Sequence, residues 1–239
     1  MGYMMICQCS PEDIRENLKR IRYQVEEAAV KAGRRPEEVR IMAVTKTVPP
    51  ELVNVAISEG LDLLGENRVQ EFESKRDKYD LSRAEVHFIG HLQTNKVKYL
   101  TDSVSMIESV SSVRLAEEID RIMGKNRKKM DILLEVNIGQ EESKSGFTPD
   151  GLMEALETLS NLHNISVKGL MCIPPIGESE RYFYNISKLF VDIKAKKLDN
   201  IDMSLLSMGM SADYGQAILY GSNIVRIGTA LFGKRDYQK

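Results

Sequence analysis

A closed (β/α)8 barrel of TIM type is the fold this sequence predicts, on three observations. Short β-rich runs and amphipathic stretches alternate along the chain, which argues for a parallel sheet with crossover helices. The runs are apolar at consecutive positions, as strands covered on both faces require. About eight of them fall within 239 residues, close to the roughly 250 typical of this barrel. An open doubly wound sheet is the alternative. Little chain follows the eighth run, so the helix nearest the start is placed to fill the gap that a last full helix would occupy.

That first helix is expected over residues 11–33. Ser10 stands as N-cap, Pro11 at the first helical position and Asp13 three residues after the cap, an acidic variant of the capping box, and Gly33 supplies the stop. Ile14, Leu18, Ile21, Val25, Ala28 and Ala29 form its apolar stripe. Strands are expected at 41–45, 61–64, 86–89, 106–107, 132–138, 167–173, 203–206 and 224–227, and helices at 51–59, 68–79, 94–100, 113–123, 151–159, 180–196 and 212–220. No linker composition or internal repeat divides the chain, so one domain over 1–239 is expected, the first helix packing outside the barrel.

With 42% hydrophobic and 28% charged residues the chain can bury a large core. Lys and Arg number 33 against 35 Asp and Glu, a net charge of −2, which gives no general pull toward nucleic acid or anionic membrane. The three cysteines, Cys7, Cys9 and Cys172, form no disulfide framework, and no run resembles a signal peptide or approaches a membrane span. A reducing, cytoplasmic setting is expected. The outer helices carry no apolar stripe assignable to a partner, so a monomer is expected too.

Barrel chemistry belongs to the loops after the strands. Lys46 closes the first strand, where partial desolvation lowers an ammonium pKa and favours a Schiff base; the alternative is a strand-end lysine that reaches to water. The seventh strand runs into Ser207-Met208-Gly209-Met210-Ser211-Ala212-Asp213, an anion cradle or an ordinary helix cap. Gly228 and Thr229 after the eighth strand would add phosphate donors beside it. Arg226 should face the same mouth and needs an acceptor, either a ligand or a carboxylate inside the barrel.

Asn67 reads as a site amide or a helix N-cap. His87 and His91 lack a third ligand, and Cys7-Gln8-Cys9 lacks a second pair, so no metal is expected. Lys144 follows the fifth strand as a second amine at the mouth or as a solvated loop lysine. The sequence contains no Gly-x-Gly-x-x-Gly after a strand, no Walker-type loop and no nucleophile elbow, which disfavours dinucleotide, nucleotide and hydrolase readings.

A strand-end lysine, a two-loop phosphate cradle and an internal arginine suit a phosphorylated aldehyde such as pyridoxal 5′-phosphate. Six motifs carry a resemblance: Ala43-Val44-Thr45-Lys46; Gly65-Glu66-Asn67; His87-Phe88-Ile89-Gly90 with Leu92-Gln93-Thr94-Asn95-Lys96; Ser143-Lys144-Ser145-Gly146; Ser207 to Asp213; and Val225-Arg226-Ile227-Gly228-Thr229. The chain resembles the pyridoxal phosphate homeostasis protein family, whose barrel is similar to the N-terminal domain of alanine racemase. The resemblance implies that Lys46 carries the cofactor as a Schiff base and that Ser211, Gly228 and Thr229 hold its phosphate. It also implies that Arg226 faces the ring nitrogen while Asn67 and Met208 line the pocket. The segment before Ser10 fits no motif.

An arginine stays protonated, so beside the pyridine nitrogen it keeps that nitrogen unprotonated and weakens the ring as an electron sink. Alanine racemase takes a catalytic tyrosine from an additional β domain, for which no counterpart is expected here. A carrier is therefore expected, holding the aldehyde and passing it to apo-enzymes or taking it from vitamin B6 salvage enzymes without turnover. A racemase-like enzyme with Lys46 as its base is the alternative, and a cofactor-free barrel aldolase is a third reading.

Overall fold

The computed structural model describes residues 9–175 and 177–233. Eight strands, β1 (Arg40–Val44), β2 (Leu63–Glu66), β3 (Glu85–Phe88), β4 (Met106–Val110), β5 (Met130–Val136), β6 (Ile165–Cys172), β7 (Ile201–Met210) and β8 (Ile224–Ile227), pair in parallel in sequence order. β8 returns to β1 with Arg226 opposite Met42, so the sheet is a closed barrel rather than an open one. The helices are α1 (Pro11–Lys31), α2 (Pro50–Ser58), α3 (Val69–Lys75), α4 (Val113–Lys125), α5 (Pro149–Ser160), α6 (Ser179–Ala195), α7 (Tyr214–Leu219) and α8 (Thr229–Phe232).

α1 starts where its cap chemistry dictates. The Ser10 hydroxyl accepts from the Asp13 backbone N–H (3.1 Å), and the Asp13 carboxylate accepts from the Ser10 backbone N–H (2.8 Å). Its stop is Gly33, at a φ of +69° that a side chain resists. Ile14, Leu18, Ile21, Val25 and Ala29 are buried. The helix packs against α2, α7 and α8, across the β8–β1 seam, where α8 is only four residues long.

Three expectations are corrected. The segment 94–100 holds a 3-10 helix (Thr94–Tyr99), within which Val97 is the one buried apolar residue, too few to anchor a regular amphipathic helix. β7 runs on to Met210 and takes in Ser207–Met210, which the sequence placed in a loop. β4 extends to Val110 and includes Glu108, beyond the expected end at Ile107. Cys7 lies outside the described residues.

The main core lies between sheet and helices, while smaller clusters fill the barrel: Met42, Val44, Leu63, Ile89 and Ile224, and Met106, Leu133 and Met171. At the N-terminal rim of the barrel, Arg40 donates to Glu85 (2.5 Å) and lies 3.3 Å from Asp62. Partial burial of Glu85 would raise its pKa. Hydrogen bonds from Ser105 and Arg40, with the charges of His87 and Arg40, outweigh that and hold it below the usual carboxylate range.

Candidate functional site

Lys46 lies just beyond β1 and is half-buried. Met42 and Val44 point into the barrel, so the period of two places Lys46 on the same side, at the C-terminal mouth. Both neighbours are anchored. Thr45 donates to Glu66 Oε1 (2.7 Å), which also accepts from the Tyr79 hydroxyl (2.8 Å). Burial raises the Glu66 pKa, and these hydrogen bonds offset it only in part. Thr47 has a φ of +62°, which for a β-branched residue costs about 1–3 kcal/mol. Its backbone N–H donates to Glu71 (2.5 Å), whose carboxylate also pairs with Lys75. The chain on either side of Lys46 is thus fixed by β2, α3 and the turn after α3.

Asn67 follows β2 and is half-buried. Its carbonyl oxygen lies so close to Gly90 that a Cβ there would sit 2.0 Å from it, so only glycine permits this approach of the β2 and β3 ends. Among the described residues, Asn67 Oδ1 and Thr47 Oγ1 are buried without a hydrogen-bond partner. Asn67 is not the N-cap of α3; that position is Arg68, with no side-chain cap bond.

The loops after β7 and β8 meet as expected: Ser211 Oγ accepts from the Ala230 backbone N–H (3.1 Å), next to Gly228 and Thr229 at the start of α8. Asp213 shapes the first loop, accepting from the Met210 N–H (2.7 Å) and from Ser179 (3.1 Å). Met208 is buried in the main core outside the barrel, so its side chain does not join the interior groups. Only its backbone is available to the pocket wall.

Arg226 is 4% exposed, with Nη1 donating to Ser207 Oγ (2.7 Å) and Nη2 to the Cys172 carbonyl (2.7 Å). Ser207 in turn donates to Glu108 (2.6 Å), and the other oxygen of Glu108 is 2.7 Å from His87 Nδ1. Its immediate acceptors are therefore a hydroxyl and a carbonyl, with a carboxylate one step behind. His87 is committed to this interior chain, while His91 is exposed on the loop after β3. Burial raises the pKa of Glu135 on β5, opposed by Ser145 and by the charges of His91 and Arg226. Burial also pushes the Cys172 thiol up to about 12, so it stays protonated and unreactive at neutral pH.

Lys144 sits in the loop after β5, half-buried and 2.5 Å from Glu141. Asn137 ties that loop down through the carbonyls of Glu141 (2.8 Å) and Lys144 (3.2 Å). The structure adds Thr47, Glu71 and Glu108 to the residues singled out from the sequence, and gives Glu66 and Ser207, read there only as members of motifs, partners of their own. A lone carboxylate in the run Met106-Ile107-Glu108-Ser109-Val110 was the available signal for Glu108, once the strand is extended past it.

With this geometry in place, the alanine racemase N-terminal domain family matches residues 16–236. The chain is 42% identical over 226 residues to the pyridoxal phosphate homeostasis protein of Aquifex aeolicus, covering 93% of this chain and 98% of that one. The protein of that name from Escherichia coli K12 is 36% identical, with 95% and 99% covered. This chain belongs to the pyridoxal phosphate homeostasis protein family. Among solved structures, PipY of Synechococcus elongatus with pyridoxal phosphate bound superposes with a TM-score of 0.81 at 32% identity, covering 92% of this chain and 100% of that one. Alanine racemase of Clostridium difficile superposes at 0.70 and 17% identity, covering 93% of this chain but 56% of that one, a likeness of barrel alone.

Proposed function

We propose that this protein binds pyridoxal 5′-phosphate at the barrel mouth, with Lys46 as the Schiff-base lysine, and holds it for delivery without turnover. The observation that carries the reading is convergence: a lysine just beyond β1, a buried arginine on the adjacent β8, and joined loops after β7 and β8. The donor set fits the group. Ser211, Gly228 and Thr229 would hold the phosphate, Arg226 would meet the ring nitrogen, and Asn67 with the Met208 backbone would border the ring. The partnerless oxygens of Asn67 and Thr47 leave acceptors for a polar ligand.

When bound, the cofactor supplies an electrophilic aldehyde and a conjugated ring. The chain's own residues supply the rest. Thr45 and Thr47 fix the backbone of Lys46, and the cationic Arg226 would donate toward the ring nitrogen rather than protonate it, which suits holding better than carbanion chemistry. Apo-enzymes that need the cofactor, or vitamin B6 salvage enzymes that supply it, are the partners this reading implies. Lys144, paired to Glu141 in the loop after β5, is the second amine this reading assigns to release.

The purified protein should show a visible band that borohydride abolishes, leaving a reduced pyridoxyl adduct that mass spectrometry finds on Lys46; Lys46→Ala should lose both entirely. No adduct after incubation with excess pyridoxal phosphate would remove the reading. Lys144→Ala should slow transfer to an apo-enzyme several-fold while leaving the adduct on Lys46; an unchanged rate would exclude Lys144 from release. Deuterium exchange at the α-carbon of alanine, lost in Lys46→Ala, would turn the carrier into an enzyme.

A further inference from the structure

The interiors of these barrels are ordinarily filled by layers of branched apolar side chains. Here His87, Glu108, Ser207 and Arg226 replace part of that filling, each 4% exposed or less. Burying a carboxylate and a guanidinium is costly unless each is paired and hydrogen-bonded. The pairing is indirect. Arginine only donates, so Ser207 Oγ accepts from Arg226 and its single proton goes to Glu108 Oε2. That makes Glu108 Oε2 an acceptor and gives the chain one direction. His87 Nδ1 holds the other oxygen, Oε1. The bond from β4 to β7 crosses the barrel between strands that are not neighbours.

We propose that Glu108 is the counter-ion of Arg226, acting through Ser207, and that it sets the charge Arg226 presents to the ring of a bound cofactor. His87 is a positioning residue that keeps the carboxylate aimed at Ser207. The inference rests on the pyridoxal phosphate reading, since it concerns what the ring meets. Two hydrogen bonds, to Ser207 and to the Cys172 carbonyl, hold the guanidinium; the rest of its five-donor fork serves the ligand. Replacing Glu108 by glutamine keeps an oxygen for Ser207 but deletes the negative charge. An uncompensated Arg226 then makes a proton on the Lys46 nitrogen costlier.

The test is a pH titration of the visible band of the loaded protein, wild type against Glu108→Gln and Ser207→Ala. Lys46, Glu66 on β2, Glu85 on β3, Glu135 on β5, the Cys172 thiol on β6, His91 and Asp213 are common to all three proteins. The variants therefore report the difference made by the chain itself. Glu108→Gln should lower the midpoint by about half a pH unit or more. Ser207→Ala, which breaks the bridge without changing charge, should shift the midpoint and speed cofactor release several-fold. Unchanged midpoint and release rate in folded, loaded variants would overturn the proposal. If Glu108→Gln does not fold, Ser207→Ala decides alone, since it removes only a hydroxyl. A wild type that takes no borohydride-trapped label on Lys46 would instead be a failure of the pyridoxal phosphate reading.

Discussion

The two ends of this barrel handle polar groups in opposite ways. At the N-terminal rim, Arg40 bridges Glu85 and Asp62 in contact with solvent, and its partners keep Glu85 ionised. At the C-terminal mouth, burial pushes the carboxyls of Glu66 and Glu135 toward the neutral form, Thr47 is held at a positive φ, and oxygens of Thr47 and Asn67 lack partners. The first arrangement serves stability and asks nothing of a ligand. The second spends stability to keep groups available, as sites that bind do.

The contrast yields graded expectations. Gly90→Ala should have the largest effect, because its new methyl would press on the Asn67 carbonyl at 2.0 Å and push the β2 end out of place. Overpacking of this kind costs about 1–3 kcal/mol, so affinity for pyridoxal phosphate measured by absorbance titration should fall about tenfold or more. Wild-type affinity in this variant would show that the β2–β3 approach does not shape the pocket.

Arg40→Ala at the opposite end should cost about 1 kcal/mol or less, since its partners are partly exposed. Calorimetry should register a Tm lower by about 2–4 °C with labelling of Lys46 unaltered. Altered labelling would mean that the rim and the mouth are coupled.

Glu135→Gln should have the smallest effect, and its sign distinguishes the ends. Glu135 has a raised pKa, so the folded state favours its protonated form and wild-type stability declines as pH rises from about 4.3 toward that raised value. Glu85 is lowered, so its contribution is present above that range and is lost as pH falls through its folded value. In Glu135→Gln, urea midpoints should therefore decline less as pH rises from about 4.3, while the acid-side loss remains. A decline equal to wild type would assign it elsewhere.

Much of the fold was legible because its signals are local. The Ser10–Asp13 box, the Gly33 stop and the apolar runs depend on residues close in sequence, and all eight strands occur near their expected places. The places of Lys46, Ser211 and Gly228 were legible for the same reason, as residues that follow a strand or cap a helix. Thr47 was not, because its unusual φ is imposed by Glu71 from α3. The bond from Ser207 to Glu108 spans 99 positions and crosses the barrel, a pairing no local pattern encodes. Met208 shows the converse: its motif implied a pocket residue, but strand parity turns its side chain outward into the main core.

The seam between β8 and β1 sets when this pocket can come into being. Met42 finds Arg226 only after nearly the whole chain has left the ribosome, and parallel pairings of such sequence separation form slowly. Lys46 is translated early, yet the arginine and phosphate loops assigned to its ligand arrive last. A nascent or truncated chain thus cannot assemble the pocket. On the proposed site, the ligand would touch early and late parts of the chain at once and act as a clasp that resists their separation.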